Sequence, residues 1–141
     1  MKKFLSDSPE KTEEIARALA THLKPGDVVA YIGGLGMGKT CFTRGLAKGL
    51  GFDGQVTSPT FDIINEYVGG KLSLYHFDMY RIETWEDLDS CGYFDYMESG
   101  GVLAVEWSEN IENALPDNTI FIEFTRIDDT TREIIIRGEN F

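Results

Sequence analysis

The sequence predicts an α/β domain whose mixed β-sheet has a parallel centre, antiparallel hairpins added to it, and helices against its faces. Three observations carry this. A short apolar, β-branched run, Val28-Val29-Ala30-Tyr31-Ile32, is followed by a glycine cluster and then by a segment of helical period. A second such run, Val102-Leu103-Ala104-Val105, ends on a carboxylate, and two strand-like segments flank Gly69-Gly70. Strands that are apolar on both faces need cover on both sides, which is how parallel sheets are built.

Each element has a local reason. Ser8-Pro9-Glu10 opens a helix, with Ser8 as cap and Pro9 at the first helical position, where its missing N–H costs nothing. Ile15, Ala16, Leu19 and Leu23 then recur on one face until Lys24-Pro25-Gly26 ends the helix. Asp27 to Ile32 reads as a buried strand between Pro-Gly and Gly-Gly, and Thr40 to Leu50 as an amphipathic helix with Phe42, Leu46 and Leu50 on one face. Phe61 to Tyr67 and Leu72 to Phe77 form a hairpin about the turn 68–71, and Thr84 caps a short acidic helix to Asp89. Val102 to Val105, Thr119 to Arg126 and Arg132 to Arg137 complete the strands, with Asp128-Asp129-Thr130 as a turn. No repeat or low-complexity linker interrupts residues 1–141, which read as one domain.

Gly33-Gly34-Leu35-Gly36-Met37-Gly38-Lys39-Thr40 fits G-x-x-x-x-G-K-[ST] and lies between a predicted strand and a predicted helix, the arrangement of a P-loop NTPase-like fold. The spacing has a chemical reason. A triphosphate needs several inward-pointing backbone N–H groups; glycines permit the close approach and positive φ, and the helix N-terminus adds a favourable dipole. Lys39 supplies a point charge, and the Thr40 hydroxyl can ligate Mg²⁺. A dinucleotide fingerprint fails, because its third glycine falls on Lys39.

A metal held at such a loop takes a carboxylate from a neighbouring strand end, and Glu106 stands after Val102 to Val105. Ser58-Pro59-Thr60 precedes the hairpin, where a γ-phosphate sensor can sit. His76-Phe77-Asp78-Met79-Tyr80-Arg81 closes it, with His76, Asp78 and Tyr80 on one face at period two. Asp78 can orient the attacking water and Arg81 can neutralise developing charge. The plainer alternative makes His76 a satisfied strand residue, Asp78 and Arg81 a surface ion pair, and Glu106 the solvated start of a loop.

Charge and composition narrow the function. Thirteen Lys+Arg against 24 Asp+Glu leave a net charge of −11, too little positive charge for a phosphate-backbone footprint. The 42% hydrophobic and 12% aromatic content excludes an acidic disordered chain. The start MKKFLSDSPEKTEE turns polar too early for a signal peptide and no run is long enough to span a bilayer, so a cytoplasmic protein with no membrane contact is expected. Cys41 and Cys91 lack metal-ligand spacing and read as reduced thiols.

Gly33 to Thr40, Ser58-Pro59-Thr60-Phe61, Asn65-Glu66-Tyr67, His76 to Arg81 and Val105-Glu106-Trp107 stand in the order and spacing of the bacterial TsaE (YjeE) ATPases, and the sequence resembles that family over nearly its whole length. Met37, where the family commonly has Ala, and Asp62, where Thr is usual, are mild departures. The resemblance implies ATP and Mg²⁺. It assigns the phosphates to Gly36, Met37, Gly38, Lys39 and Thr40 with Gly33 and Cys41 at the loop's ends, and Mg²⁺ to Thr40 and Glu106. Asp78, Thr60 and Lys39 belong to hydrolysis, Trp107 to the nucleotide site, and Thr12 and Arg132 to the adenine side. Cys41 beside Thr40 is either a small helix residue or an oxidant-sensitive one. The implied role is ATP hydrolysis that resets a partner complex, TsaD with TsaB, making N6-threonylcarbamoyladenosine in tRNA.

Two other classes compete. A small-molecule kinase needs an arginine-bearing lid, whereas the six arginines are scattered; a GTP-dependent binding switch needs an N-K-x-D stretch, which does not occur. Since the chain is strongly acidic, tRNA contact is assigned to the partner. In a gel-shift assay the isolated protein is expected to show no tRNA binding at physiological ionic strength, while its binding to the partner complex weakens with added salt; tight tRNA binding would overturn this assignment.

Overall fold

The computed structural model describes residues 1–33, 38–54, 64–68 and 70–138. Its strands are β1 (Lys2–Ser6), β2 (Val28–Ile32), β3 (Ile64–Tyr67), β4 (Leu74–Asp78), β5 (Val102–Glu106), β6 (Ile120–Arg126) and β7 (Arg132–Arg137), and its helices are α1 (Pro9–Ala20), α2 (Lys39–Gly49), α3 (Trp85–Ser90) and α4 (Tyr93–Glu98), with a 3₁₀ segment over Ser108–Ala114. The strands form one sheet in the order β1-β7-β6-β2-β5-β4-β3. β6, β2, β5 and β4 run parallel, and β3, β7 and β1 join antiparallel at the two sides.

Side chains that alternate along β2 serve two cores. Val29 and Tyr31 join Ile15, Leu19, Phe42 and Leu46 under α1 and α2. Val28 joins Phe77, Leu88, Tyr93, Leu103 and Ile111 on the opposite face. Both predicted caps form: Ser8 Oγ accepts from Lys11 N at 3.1 Å and Thr84 Oγ1 from Asp87 N at 3.0 Å. β1, α4 and the 3₁₀ segment are additions to the predicted pattern.

One correction concerns the run after β4. The strand ends at Asp78, so Tyr80 does not continue its alternation and is 60% exposed. Asp78 itself causes this, because its Oδ1 accepts from Tyr80 N at 3.0 Å and turns the chain, while Asn110 Nδ2 donates to Met79 O at 2.8 Å. Residues 61–63 of the predicted hairpin strand lie outside the described residues. Among those described, no helix is long and apolar enough to cross a membrane.

Helices α1 and α2 lie in unusually close contact because α2 carries Gly45 and Gly49 toward α1. A Cβ on Gly45 would stand 2.4 Å from Glu13 O and 2.7 Å from Ala16 Cβ. Lys48 Nζ then reaches Glu13 Oε1 at 2.6 Å across the join. Gly45→Ala gains about 1 kcal/mol of helix propensity but meets a backbone oxygen that no rotamer can clear. Urea unfolding is expected to show a net loss of roughly 1–3 kcal/mol; unchanged or higher stability would mean that the helices separate freely.

Candidate functional site

The site gathers at the C-terminal ends of the parallel strands, where open α/β sheets bind ligands. β2 ends at Ile32, and the chain enters the glycine loop at Gly33, where φ is +141° and an added Cβ would stand 3.0 Å from Phe124 O, so a side chain there is strained. Gly34 to Met37 lie outside the described residues, as do Thr60 and the rest of Ser58 to Phe61, so the structure describes no geometry for the predicted roles of Gly36, Met37 and Thr60. At Gly38, φ +95°, the chain turns into α2, whose first residues are Lys39 and Thr40.

Lys39 is buried, and its Nζ lies 3.8 Å from Glu106 Oε1. The other carboxylate oxygen lies 2.6 Å from His76 Nε2. Glu106 is thus clamped between Lys39 and a fully buried imidazole, not solvated as the plainer alternative had it. Burial by itself raises the Glu106 pKa; the His76 ring against it, and then the Lys39 ammonium, outweigh this and hold the carboxyl below its ordinary value. The carboxylate is therefore ionised at neutral pH.

Asp78 and Glu106 are register partners at the ends of the adjacent parallel strands β4 and β5. This brings the predicted hydrolytic and metal-holding carboxylates to one edge. Asp78 is half-buried, while Arg81 lies exposed beyond the turn. Behind Lys39, Thr43 Oγ1 donates to Lys39 O at 2.8 Å and lies 2.7 Å from Tyr31 Oη. Burial pushes the Tyr31 phenol well above its ordinary pKa despite the Thr43 bond, so it stays protonated.

Thr12, Gly38, Cys41 and Arg132 line one cleft of about 330 Å³ together with Ser6. Ser6 Oγ lies 2.7 Å from Thr12 Oγ1, and Arg132 Nη1 donates to Asp128 O at 2.8 Å. The cleft adjoins the start of α2, so the residues assigned to the adenine side and the end of the glycine loop share one hollow. Trp107 stands apart from it. With Gly33 and Phe121 it lines a second hollow of about 440 Å³, and its ring meets Tyr80 at 4.9 Å between centroids. Its φ of +59° is the only positive value at a non-glycine among the described residues, a strained conformation of the kind that clusters at functional sites.

The family model described as "Threonylcarbamoyl adenosine biosynthesis protein TsaE" matches residues 6–134. The chain belongs to the TsaE family. It is 46% identical to the tRNA threonylcarbamoyladenosine biosynthesis protein TsaE of Bacillus subtilis over 132 residues, covering 94% of this chain and 82% of that protein. The TsaE of Treponema pallidum is 38% identical, with 94% and 97% covered. The crystal structure of Bacillus subtilis YdiB superposes with a TM-score of 0.78 at 41% identity, over 99% of this chain and 86% of that one.

Sequence reasoning passed over the Tyr31 and Thr43 brace, Asn110 and the Ser6 wall of the cleft. In this TsaE-family chain the acid dependence of stability has a defined sign. The Glu106 pKa is lower folded than the ordinary 4.5, so its contribution is present above that value and is lost as pH falls through the lower folded one. Glu106→Gln is expected to be less stable than wild type at neutral pH, with the gap narrowing as pH falls below about 4.5 in urea titrations. A gap that widens on acidification would contradict this charge arrangement.

Proposed function

We propose that the chain binds ATP and hydrolyses it to ADP and phosphate as a subunit of the machinery that forms N6-threonylcarbamoyladenosine in tRNA. The observation that carries this reading is the meeting of Lys39 and Glu106 at 3.8 Å where α2 begins, with Asp78 beside Glu106 in register. Opposite charges held at the mouth of a phosphate-binding loop suit a phosphate on one side and a divalent cation on the other.

Roles follow from position. Lys39 takes charge from the terminal phosphates, aided by the α2 N-terminus. Thr40 and Glu106 would hold Mg²⁺; a hydroxyl and an ionised carboxylate are the hard oxygen donors it prefers, and phosphate oxygens and water complete such a shell. No group of three or more His, Cys, Asp or Glu side chains suited to a metal occurs among the described residues, and this mode of binding needs none. When bound, Mg²⁺ neutralises charge on the phosphate oxygens. Asp78 orients a water in line with the γ-phosphorus; the bond to the bridging oxygen breaks, ADP leaves, and the water's proton passes to phosphate or solvent. The 330 Å³ cleft at Thr12 and Arg132 takes the base.

TsaD and TsaB type proteins are the proposed partners, with hydrolysis resetting their complex and tRNA reached only through them. This follows from the family resemblance rather than from any surface feature. Lys39→Ala is expected to abolish ATP binding by calorimetry. Asp78→Ala is expected to retain binding yet lose at least about a hundred-fold in partner-stimulated phosphate release. Absence of ATP hydrolysis above background with the partner complex would sink the reading, and a phosphorylated acceptor in place of free phosphate would make the protein a kinase.

A further inference from the structure

Among the described residues, His76 is a fully buried polar side chain within the sheet that the nucleotide reading leaves without a task. It is fully buried on β4, opposite Ala104 of β5, and the Tyr31 ring stands edge-on to it at 6.2 Å. Neither ring nitrogen has an aligned hydrogen-bond partner among the described residues, yet Nε2 lies 2.6 Å from Glu106 Oε2. An imidazole that only filled space here would be a poor substitute for leucine, because its desolvation is uncompensated. Something must offset that cost, and the carboxylate is the neighbour able to do so.

We propose that His76 is a positioning residue, which grips one oxygen of Glu106 so that the other is held toward Lys39 and the metal. The inference rests on the nucleotide and Mg²⁺ reading above and adds to it a residue that never touches the ligand. The two carboxylate oxygens already divide in this way, Oε2 to His76 and Oε1 to Lys39. A glutamate at a strand end has three rotatable bonds, and a rigid partner behind it limits the directions its free oxygen can take. His76 is suited to that task because Tyr31, itself 2.7 Å from Thr43 on α2, packs against its ring. The sheet, the helix carrying Lys39 and the carboxylate thereby share one scaffold.

The test reads metal affinity, not turnover. Mn²⁺ binding to the protein–ADP complex is measured by electron paramagnetic resonance, and ADP affinity in EDTA by calorimetry. His76→Leu is expected to weaken Mn²⁺ about ten-fold or more while leaving metal-free ADP affinity within about two-fold. His76→Gln, whose amide can still donate to Glu106, recovers most of the loss, and His76→Leu adds nothing in a Glu106→Gln background. Wild-type Mn²⁺ affinity in folded His76→Leu, or an equal loss of metal-free ADP affinity, would overturn the proposal. If His76→Leu does not fold, His76→Asn takes its place, being too short to reach the carboxylate; Mn²⁺ affinity equal to that of His76→Gln then counts against the proposal. Wild-type protein that binds neither ADP nor Mn²⁺ with ADP would instead remove the nucleotide reading, and this inference with it.

Discussion

A carboxylate largely held out of water between the Lys39 ammonium and the His76 ring is the constraint around which the rest of the molecule is arranged. At 3.8 Å the attraction between Lys39 and Glu106 is roughly 4 kcal/mol at an effective dielectric of about 20, against about 1 kcal/mol in bulk water. The desolvation of both groups opposes that gain, and it is tolerable only if neither charge is left alone. The positions of β2, β5, β4 and the first turn of α2 are therefore coupled, since each supplies a group or a wall to the same small volume.

The helix layer answers to this requirement. Lys39 sits at the start of α2, so any shift of that helix displaces its ammonium. Gly45 and Gly49 let α2 press against α1 at contact distances that would exclude a methyl group, and Glu13 ties Lys48 and Arg44 across the join. Two glycines four positions apart thus set how closely α2 approaches α1. The same close approach brings Thr12 of α1 beside Gly38 and Cys41, which makes the cleft a product of helix packing.

Much of the frame was readable from local chemistry. The Ser8 and Thr84 caps, the strand and helix on either side of the glycine loop, and the antiparallel pair β3 and β4 rest on short-range signals, and each is present among the described residues. Elements with weak local signals were missed for a physical reason. β1 exists through its pairing with β7, and α4, six residues long and entered at Gly92 with φ +85°, leans on Tyr75 and Phe77 through Tyr96. Tyr80 was misplaced because period-two reasoning cannot see Asp78 accepting from the chain two residues on.

By itself the sequence determined the strand and helix that flank the glycine motif, and the residue types the proposed nucleotide site would use, because glycine conformations, capping and hydrophobic period act within a few residues. It also carried the family, through motifs whose order survives without any fold. Only the tertiary structure decided that Glu106 meets Lys39 and His76, that Asp78 comes beside it, and that Thr12, Cys41 and Arg132 share a cleft while Trp107 lines another. Those pairings depend on strand order, β6-β2-β5-β4, which brings together segments far apart along the chain, and on distances of a few ångströms over which charge interactions gain or lose most of their strength.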